Sequence, residues 1–112
     1  MKGTHIGELE ELILLTVGIL YEQAYGVAIM DEIENQTGRV LNISAVHAVL
    51  KRLENKKLVT CQLRNATTER GGRRKRIFML TATGKKRIEE ANALRNQLFK
   101  QIPKFALQFN QH

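Results

Sequence analysis

The first stretch of apolar residues predicts a helix that is hydrophobic on nearly all of its sides. It lies between about Leu9 and Leu20, and its apolar positions are spread more widely than the single stripe of a surface helix. A second surface must therefore cover it, either from another element of the same small domain or from a partner subunit. These apolar positions are Leu9, Leu12, Ile13, Leu14, Leu15, Val17, Ile19 and Leu20.

The next apolar repeat predicts a second helix from Val27 to Gln36, with Ile29 and Ile33 on its inward face. Tyr25-Gly26 marks the turn before it, and Tyr25 is interpreted as an anchor of this helix, with a phosphate contact through its hydroxyl as the alternative. Thr37-Gly38 ends the helix, because glycine readily takes the left-handed conformation that closes helices.

A third helix is predicted from Ser44, whose hydroxyl is placed to cap the first free amides, to about Lys56. One of its faces is apolar, and the opposite face is small at its start and basic further along. Such a face suits a helix in the major groove of DNA, where the first residues approach base edges and later cations reach phosphates. The inward residues are Val46, Val49, Leu50 and Leu53, and the outward residues are Ser44, Ala48, Lys51 and Asn55, flanked by His47 and Arg52.

Alternating apolar and polar residues then predict a two-stranded hairpin with strands at 58–63 and 76–80. The connection, roughly Arg64 to Lys75, is longer than a hairpin needs, and lengthened loops often carry function. Gly71-Gly72 allows its tip to turn and to approach another surface closely. A run of charges at such a tip serves no folding purpose, so Arg73, Arg74 and Lys75 are expected to contact phosphates or to enter a minor groove.

Thr81 is the expected cap of a fourth helix, which runs from Ala82 past Leu98 until Pro103 interrupts it. Apolar residues recur on it at three- and four-residue spacing, as on a coiled-coil seam. The helix is roughly 30 Å long, so it projects beyond a small domain and needs a partner. The seam consists of Ile88, Ala91, Leu94, Leu98 and Ile102, and Phe105, Leu107 and Phe109 either extend the apolar surface or belong to a frayed end.

Charge is distributed unevenly along the 112 residues, whose formal net charge is +7. Residues 1–50 contain two basic and seven acidic side chains, whereas residues 51–87 contain thirteen basic and two acidic ones. Because so many like charges repel one another unless something compensates for them, a polyanionic partner explains the basic segment better than a merely solvated face does. Nucleic acid is the partner that this distribution favours.

Isolated reactive residues argue against an enzyme. Cys61 is the only cysteine and is interpreted as a small apolar strand residue, and the three histidines, His5, His47 and His112, are too far apart for a local metal motif. No nucleophile with a base, phosphate loop or metal cluster is apparent, and no cofactor is expected. The lone cysteine, with no apparent signal peptide or membrane span, favours a cytoplasmic location.

The order helix, helix, helix, hairpin, helix predicts a mainly α (α+β) fold, a winged helix-turn-helix with an added C-terminal helix. Residues 1–80 are expected to form the DNA-binding domain, and residues 81–112 the dimerisation helix and tail. From about Gly7 to Leu98 the chain resembles the PadR family of bacterial transcriptional regulators. The segments that carry the resemblance are Tyr25-Gly26, Ile43–His47, Leu50–Glu54, Glu69–Arg76 in the wing and Leu80–Gly84 after it.

The resemblance implies a homodimer in which the C-terminal helix packs with the first helix of the other subunit. Two recognition helices would then face a palindromic operator. The chain departs from the family at His47, where tyrosine is usual, and at Asn55-Lys56-Lys57, where an acidic residue, lysine and glycine are usual. Its single C-terminal helix resembles the short branch of the family. A small-molecule effector between the dimer helices is compatible with the resemblance, and the sequence identifies none.

The expected function is therefore a sequence-specific regulator of transcription, a repressor that binds double-stranded DNA. The alternative is a winged-helix module that docks another protein through its apolar helices. For His47, the alternative to contact with DNA is that its side chain packs at the edge of the core. The expected DNA-binding residues are Tyr25, Ser44, His47, Ala48, Lys51, Arg52, Arg70, Gly72, Arg73, Arg74 and Lys75, and the expected dimerisation residues are Leu9, Leu12, Ile13, Ile88, Ala91, Leu94, Leu98 and Ile102.

Overall fold

Four helices and one antiparallel hairpin make up the described part of the chain, residues 6–65 and 74–107 of a computed structural model. The predicted order of elements is confirmed. The elements are α1 (Glu8–Leu20), α2 (Gly26–Thr37), α3 (Ile43–Asn55), β1 (Val59–Asn65), β2 (Arg74–Leu80) and α4 (Ala82–Lys100), with 3-10 turns at Tyr21–Gln23 and Lys104–Leu107.

Buried apolar side chains from α1, α2 and α3 meet in a single core, which the hairpin extends. The inward faces predicted for α2 and α3 are confirmed. Each fully buried aliphatic side chain contributes roughly 1.5–3 kcal/mol to the stability of the fold, because it removes apolar area from water. Much of the wide apolar surface of α1 is covered by the same domain. Side chains with at most 2% of their surface exposed include Ile13, Leu14, Val17, Ile29, Ile33, Val46, Val49, Leu50, Leu53, Leu58 and Val59.

The start of α3 differs from the prediction by one residue and by its cap. Asn42 is the N-cap, and its Oδ1 accepts a hydrogen bond from the Ala45 amide at 2.8 Å. Ser44 lies within the first turn and is exposed. The prediction that Ser44 caps the helix is therefore wrong. Asparagine and serine cap about equally well, so residue preference alone does not decide between two candidates on either side of Ile43.

The C-terminal end of α3 is closed by Lys57, which takes the left-handed conformation with φ 64°. The amide of Lys57 donates to the Glu54 carbonyl and that of Leu58 to the Leu53 carbonyl, both at 2.9 Å. Glycine adopts this conformation without steric penalty, whereas lysine pays for it with contact between its Cβ and the backbone. Lys57 therefore replaces the glycine that is usual in the family at a position where the backbone has to adopt a left-handed conformation.

The hairpin is longer at its outer end than the sequence predicts. Its register runs from Val59 opposite Leu80 to Asn65 opposite Arg74, so the connection shortens to residues 66–73, which lie outside the described residues. The Phe78 amide of β2 also donates to the Ala24 carbonyl at 2.8 Å. This bond ties the hairpin to the connection between α1 and α2.

Thr81 joins the hairpin to α4 and caps that helix, as predicted. Its hydroxyl accepts a hydrogen bond from the Gly84 amide at 2.9 Å and donates one to the Lys57 carbonyl at 2.8 Å. Gly84 lies so close to Leu58 that a Cβ atom added to it would stand 2.1 Å from the Leu58 carbonyl oxygen. The first turn of α4 is therefore held directly against the backbone that follows α3.

Candidate nucleic-acid interface

The outward face of α3 is exposed where the sequence predicts it. Ser44, His47, Ala48 and Lys51 are all exposed, whereas the residues of α3 that face the core are buried. Within the described residues, the Lys51 side chain forms neither an ion pair nor a hydrogen bond. This face therefore combines small side chains near its start with an ammonium group that is available to a phosphate.

His47 lies at the corner where α3 passes the start of α2. A Cβ atom added to Gly26 would stand 2.8 Å from the Cε1 atom of His47 and 3.0 Å from its Nε2 atom, so the imidazole packs directly on the glycine. The side chain is nevertheless exposed. The structure thus places His47 at the edge of the domain, as the alternative to DNA binding predicts, while the residue stays exposed; its contact with DNA remains a prediction.

A groove of about 650 Å³ separates α3 from β2. Arg76 crosses it: its Nη2 atom lies 3.8 Å from Oε1 of Glu54, and its Nε donates to Sγ of Cys61 at 3.2 Å. The hydrogen bond to Cys61 raises the pKa of the Arg76 guanidinium above its ordinary value. Arg76 therefore holds the wing strand beside the predicted recognition helix. The groove is lined by His47, Leu50, Lys51, Glu54, Asn55, Arg76 and Phe78.

The base of the wing contacts the start of α2 through Lys75. Its Nζ atom lies 4.2 Å from the centre of the Tyr25 ring, a cation–π distance. Lys75 is exposed, and within the described residues it forms no ion pair, so its charge is not compensated there. Tyr25 is half-buried, which agrees with its predicted role as an anchor of α2.

Three residues predicted for the outer wing, Arg70, Gly72 and Arg73, lie outside the described residues. Arg74 opens β2, and its backbone is paired with that of Asn65. The DNA contacts assigned to these four residues remain predictions.

Arg52 points away from the outward face of α3 and towards α1. Its Nε donates to Oε2 of Glu10 at 3.4 Å, and the Nζ of Lys56 donates to both oxygens of the same carboxylate at 3.0 Å. Glu10 is 7% exposed, and its Oε1 also accepts a hydrogen bond from the Gly7 amide at 2.9 Å. A buried carboxylate requires such partners, which explains why Arg52 does not take the orientation expected from the sequence.

The cluster of Glu10, Arg52 and Lys56 is not predicted from the sequence, although two local signals point towards it. Glu10 lies three residues after the N-cap Gly7, the spacing of a capping box, and Arg52 and Lys56 lie four residues apart, on one side of α3. The pairing itself joins residues more than forty positions apart, and no local pattern specifies it.

The Glu10 carboxyl is held in its charged form. Burial raises its pKa, but the Gly7 amide together with the charged groups of Lys56 and Arg52 outweighs burial and leaves the pKa below its ordinary value of 4.5. A carboxyl group whose pKa is lowered by folding stabilises the fold above its unfolded pKa. That stabilisation is lost as the pH falls through the pKa of the folded state.

We expect Glu10→Gln to lower the free energy of unfolding by about 1–3 kcal/mol at neutral pH, because the amide keeps the shape but loses the charge that two cations bind. The difference from the wild type should shrink as the pH falls below 4.5. Urea denaturation at a series of pH values measures it. Glu8→Gln is the matched control, since it removes an exposed charge paired with Arg39 and should have little effect. A difference that did not change with pH would contradict the assignment.

Exposed apolar side chains remain on the C-terminal half of α4. Leu94 and Leu98 are 54% and 56% exposed, and Ile102, just beyond the helix, is 40% exposed. Ile88 and Ala91, nearer the domain, are partly buried, and Ile88 packs against the core. The predicted seam is therefore exposed only in its distal part.

The exposed apolar residues of α1 are not the ones predicted to contact a partner subunit. Ile13 has no exposed surface and offers no area to a partner, so its assignment to a dimer contact is wrong. Leu9 and Leu12 pack against the core and are only partly exposed. Leu15 and Ile19, which were not assigned to the contact, are 43% and 58% exposed. An almost entirely apolar helix does not reveal from its sequence which of its sides faces inward.

An ion pair in which Arg95 of α4 donates to Glu11 of α1 joins these two helices.

In the described ranges, no group of three or more histidine, cysteine or acidic side chains could hold a metal ion. No single described helix is long and apolar enough to cross a membrane. Only α1 with its 3-10 turn and α2, bent by 120° relative to each other, together meet the criteria of length and composition.

Comparison with known proteins agrees with this architecture. The family model described as "Transcriptional regulator PadR-like family" matches residues 14–90. A PadR-like transcription factor from Bacteroides fragilis has a TM-score of 0.69 and 22% identity, with 84% of this chain and 85% of that chain covered. A PadR family regulator from Eggerthella lenta has a TM-score of 0.68 and 23% identity, with 92% and 88% covered.

A structure of Bacillus subtilis PadR in complex with operator DNA has a TM-score of 0.61 and 22% identity, with 74% of this chain and 45% of that chain covered. Among curated proteins, none matches the chain significantly. The structural similarities confirm the predicted winged helix-turn-helix fold.

Proposed function

This chain belongs to the PadR-like family of transcriptional regulators, and from that premise we propose that it is a homodimeric repressor that binds a palindromic operator in double-stranded DNA. The observation that carries the proposal is the exposed face of α3 beside the basic wing strand, with Lys51 and Lys75 uncompensated within the described residues. The operator complex of Bacillus subtilis PadR supports the choice of duplex DNA. We place the protein in the cytoplasm, where its DNA lies.

In this proposal α3 reads the sequence and the wing supplies affinity. Ser44, His47 and Ala48 lie near the start of α3, the part of a recognition helix that approaches base edges. Lys51, one turn further along, contacts a phosphate, and so do Lys75 and the arginines of the wing. Phosphate contacts position the protein and supply sequence-independent affinity, whereas base-edge contacts distinguish one duplex from another.

The homodimer is supported by the exposed apolar residues of α1 and α4. Leu94, Leu98 and Ile102 project beyond the domain, and Leu15 and Ile19 remain exposed on α1. A two-fold axis allows the same surface of two copies to cover itself, and it matches the symmetry of a palindromic site. We therefore assign dimerisation to these five residues and to Ala91, which lies on α4 at the end of the contact nearer the domain.

Selection of bound duplexes from a random pool tests the proposal directly. We expect a preferred sequence with two half-sites related by two-fold symmetry. Failure to enrich any sequence, together with a stable complex with another protein, would instead favour a protein-interaction module that uses the same apolar surfaces.

The contribution of the basic residues is measured by salt dependence. We expect the double variant Lys51→Ala/Lys75→Ala to reduce the slope of log affinity against log salt by roughly 1.8, because each lost phosphate contact removes about 0.9. Arg73→Ala/Arg74→Ala should act in the same direction. Lys100→Ala/Lys104→Ala removes equal charge at the far end of α4 and is the matched control, for which we expect a smaller change in slope. Equal slopes for all three double variants would disprove the assigned interface.

A further inference from the structure

The acidic residues in the first turn of α1 each bind a basic residue of a different element. Glu8 pairs with Arg39 after α2, Glu11 pairs with Arg95 of α4, and Glu10 pairs with one cation in α3 and one directly after it. Glu10 differs from the other two because it is buried. The cations that it holds are Arg52 and Lys56.

The geometry around Glu10 uses both of its carboxylate oxygens. Oε1 accepts from Lys56 Nζ at 3.0 Å and from the Gly7 amide at 2.9 Å, and Oε2 accepts from Lys56 at 3.0 Å and from Arg52 at 3.4 Å. Releasing the cations would leave a buried charge without most of its partners, which is strongly unfavourable. A phosphate in water therefore has to compete with a preformed acceptor for both side chains.

Arg52 directly follows Lys51, which lies on the exposed face of α3 and has no ion-pair partner in the described part of the chain. Both Arg52 and Lys56 have long side chains that are partly exposed, so each would reach solvent once released from Glu10. Lys51 and Arg52 in the C-terminal half of α3 and Lys56 directly after it are thus three closely spaced cations, and a buried carboxylate compensates two of them.

We propose that Glu10 is a positioning residue that limits the phosphate contacts of α3 by holding Arg52 and Lys56 against α1. Lys51 is then the cation of this half-helix that meets the DNA backbone. The inference rests on the proposed DNA-binding function and deepens it. Because phosphate contacts strengthen binding to every sequence, restricting them keeps non-specific affinity low relative to base readout.

The test compares Glu10→Gln with Glu8→Gln, which makes the same change in net charge on the same helix but frees only Arg39. Binding is measured over a range of salt concentrations, with the preferred duplex and with a duplex of unrelated sequence. For Glu10→Gln we expect the slope of log affinity against log salt to steepen by about 0.9–1.8, for one or two new phosphate contacts. Affinity for the unrelated duplex should rise more than affinity for the preferred one. Glu8→Gln should leave the slope unchanged.

Two further variants separate positioning from a purely structural role. Arg52→Ala/Lys56→Ala should keep the wild-type slope, because these side chains make no phosphate contact while Glu10 holds them. Adding both substitutions to Glu10→Gln should return the steepened slope to its wild-type value. A reduction in slope by Arg52→Ala/Lys56→Ala alone, or a slope of the triple variant below the wild-type value, would overturn the inference. The triple variant keeps the test valid if the double variant fails to fold, because it leaves no buried charge without partners.

Failure of this inference can be distinguished from failure of the proposed function. If Lys51→Ala reduces the slope while Glu10→Gln changes it no more than Glu8→Gln does, Glu10 does not limit phosphate contacts and the inference alone is wrong. If the wild type binds no duplex in a salt-dependent manner, both the proposed function and the inference are overturned. Thermal unfolding of each variant under the assay conditions establishes that the folded chain is being compared.

Discussion

Gly84→Ala is expected to lower the free energy of unfolding by about 3 kcal/mol or more, although alanine is ordinarily the better helix former. The added Cβ would lie 2.1 Å from the Leu58 carbonyl oxygen, which is backbone and cannot rotate away. The same carbonyl accepts the Thr81 amide, so moving it would also disturb the start of α4. Urea denaturation monitored by circular dichroism measures the change.

The control for this prediction is Thr83→Ala, one residue earlier on the same turn. Thr83 is exposed, so its replacement should change stability by no more than roughly 0.5 kcal/mol. If Gly84→Ala were equally mild, the close approach of α4 to Leu58 would be wrong. A large effect confined to Gly84 would show that a contact of backbone with backbone, and not helix propensity, holds the first turn of α4 in place.

The elements that the sequence predicts well are those with a strong local signal. The periodicity of α2 and α3 identifies their buried faces, and Gly38 takes the left-handed conformation that ends α2. Thr81 caps α4 as expected because a threonine directly before a helix has few competitors for that role. The N-cap of α3 is Asn42 and not the predicted Ser44, because asparagine and serine have similar preferences for this position and residue type alone does not separate them.

The features that the sequence did not predict depend on contacts between distant residues. Glu10 meets Arg52 and Lys56 only after α1 packs on α3, and the outward orientation expected for Arg52 changes as a result. The exposed side of α1 is likewise decided by packing, which buries Ile13 and leaves Leu15 accessible. Periodicity identifies a buried face only when polar residues mark the opposite one.

Leu98→Glu is expected to convert the proposed dimer into monomers and to weaken binding to a palindromic duplex by roughly 10²–10⁴-fold. Leu98 is 56% exposed near the end of α4, so a charge there leaves the core of the protomer intact but must be desolvated in a dimer contact. A monomer binds one half-site only. In a dimer, binding of the first subunit gives the second subunit a high effective concentration at the other half-site, and the monomer loses this advantage. Sedimentation and binding to full and half sites measure the two effects.

Asn96→Glu supplies the matched control, because it places the same charge on the same helix at an exposed polar position away from the seam. It should remain dimeric and bind the palindrome nearly as the wild type does. Affinity for an isolated half-site should be similar for both variants, since neither substitution touches the proposed DNA surface. If Leu98→Glu lost half-site binding as well, the damage would lie in the protomer; if it stayed dimeric, the contact would lie elsewhere. Only loss of the dimer with retention of the half-site supports α4 as the element that sets two recognition helices on one operator.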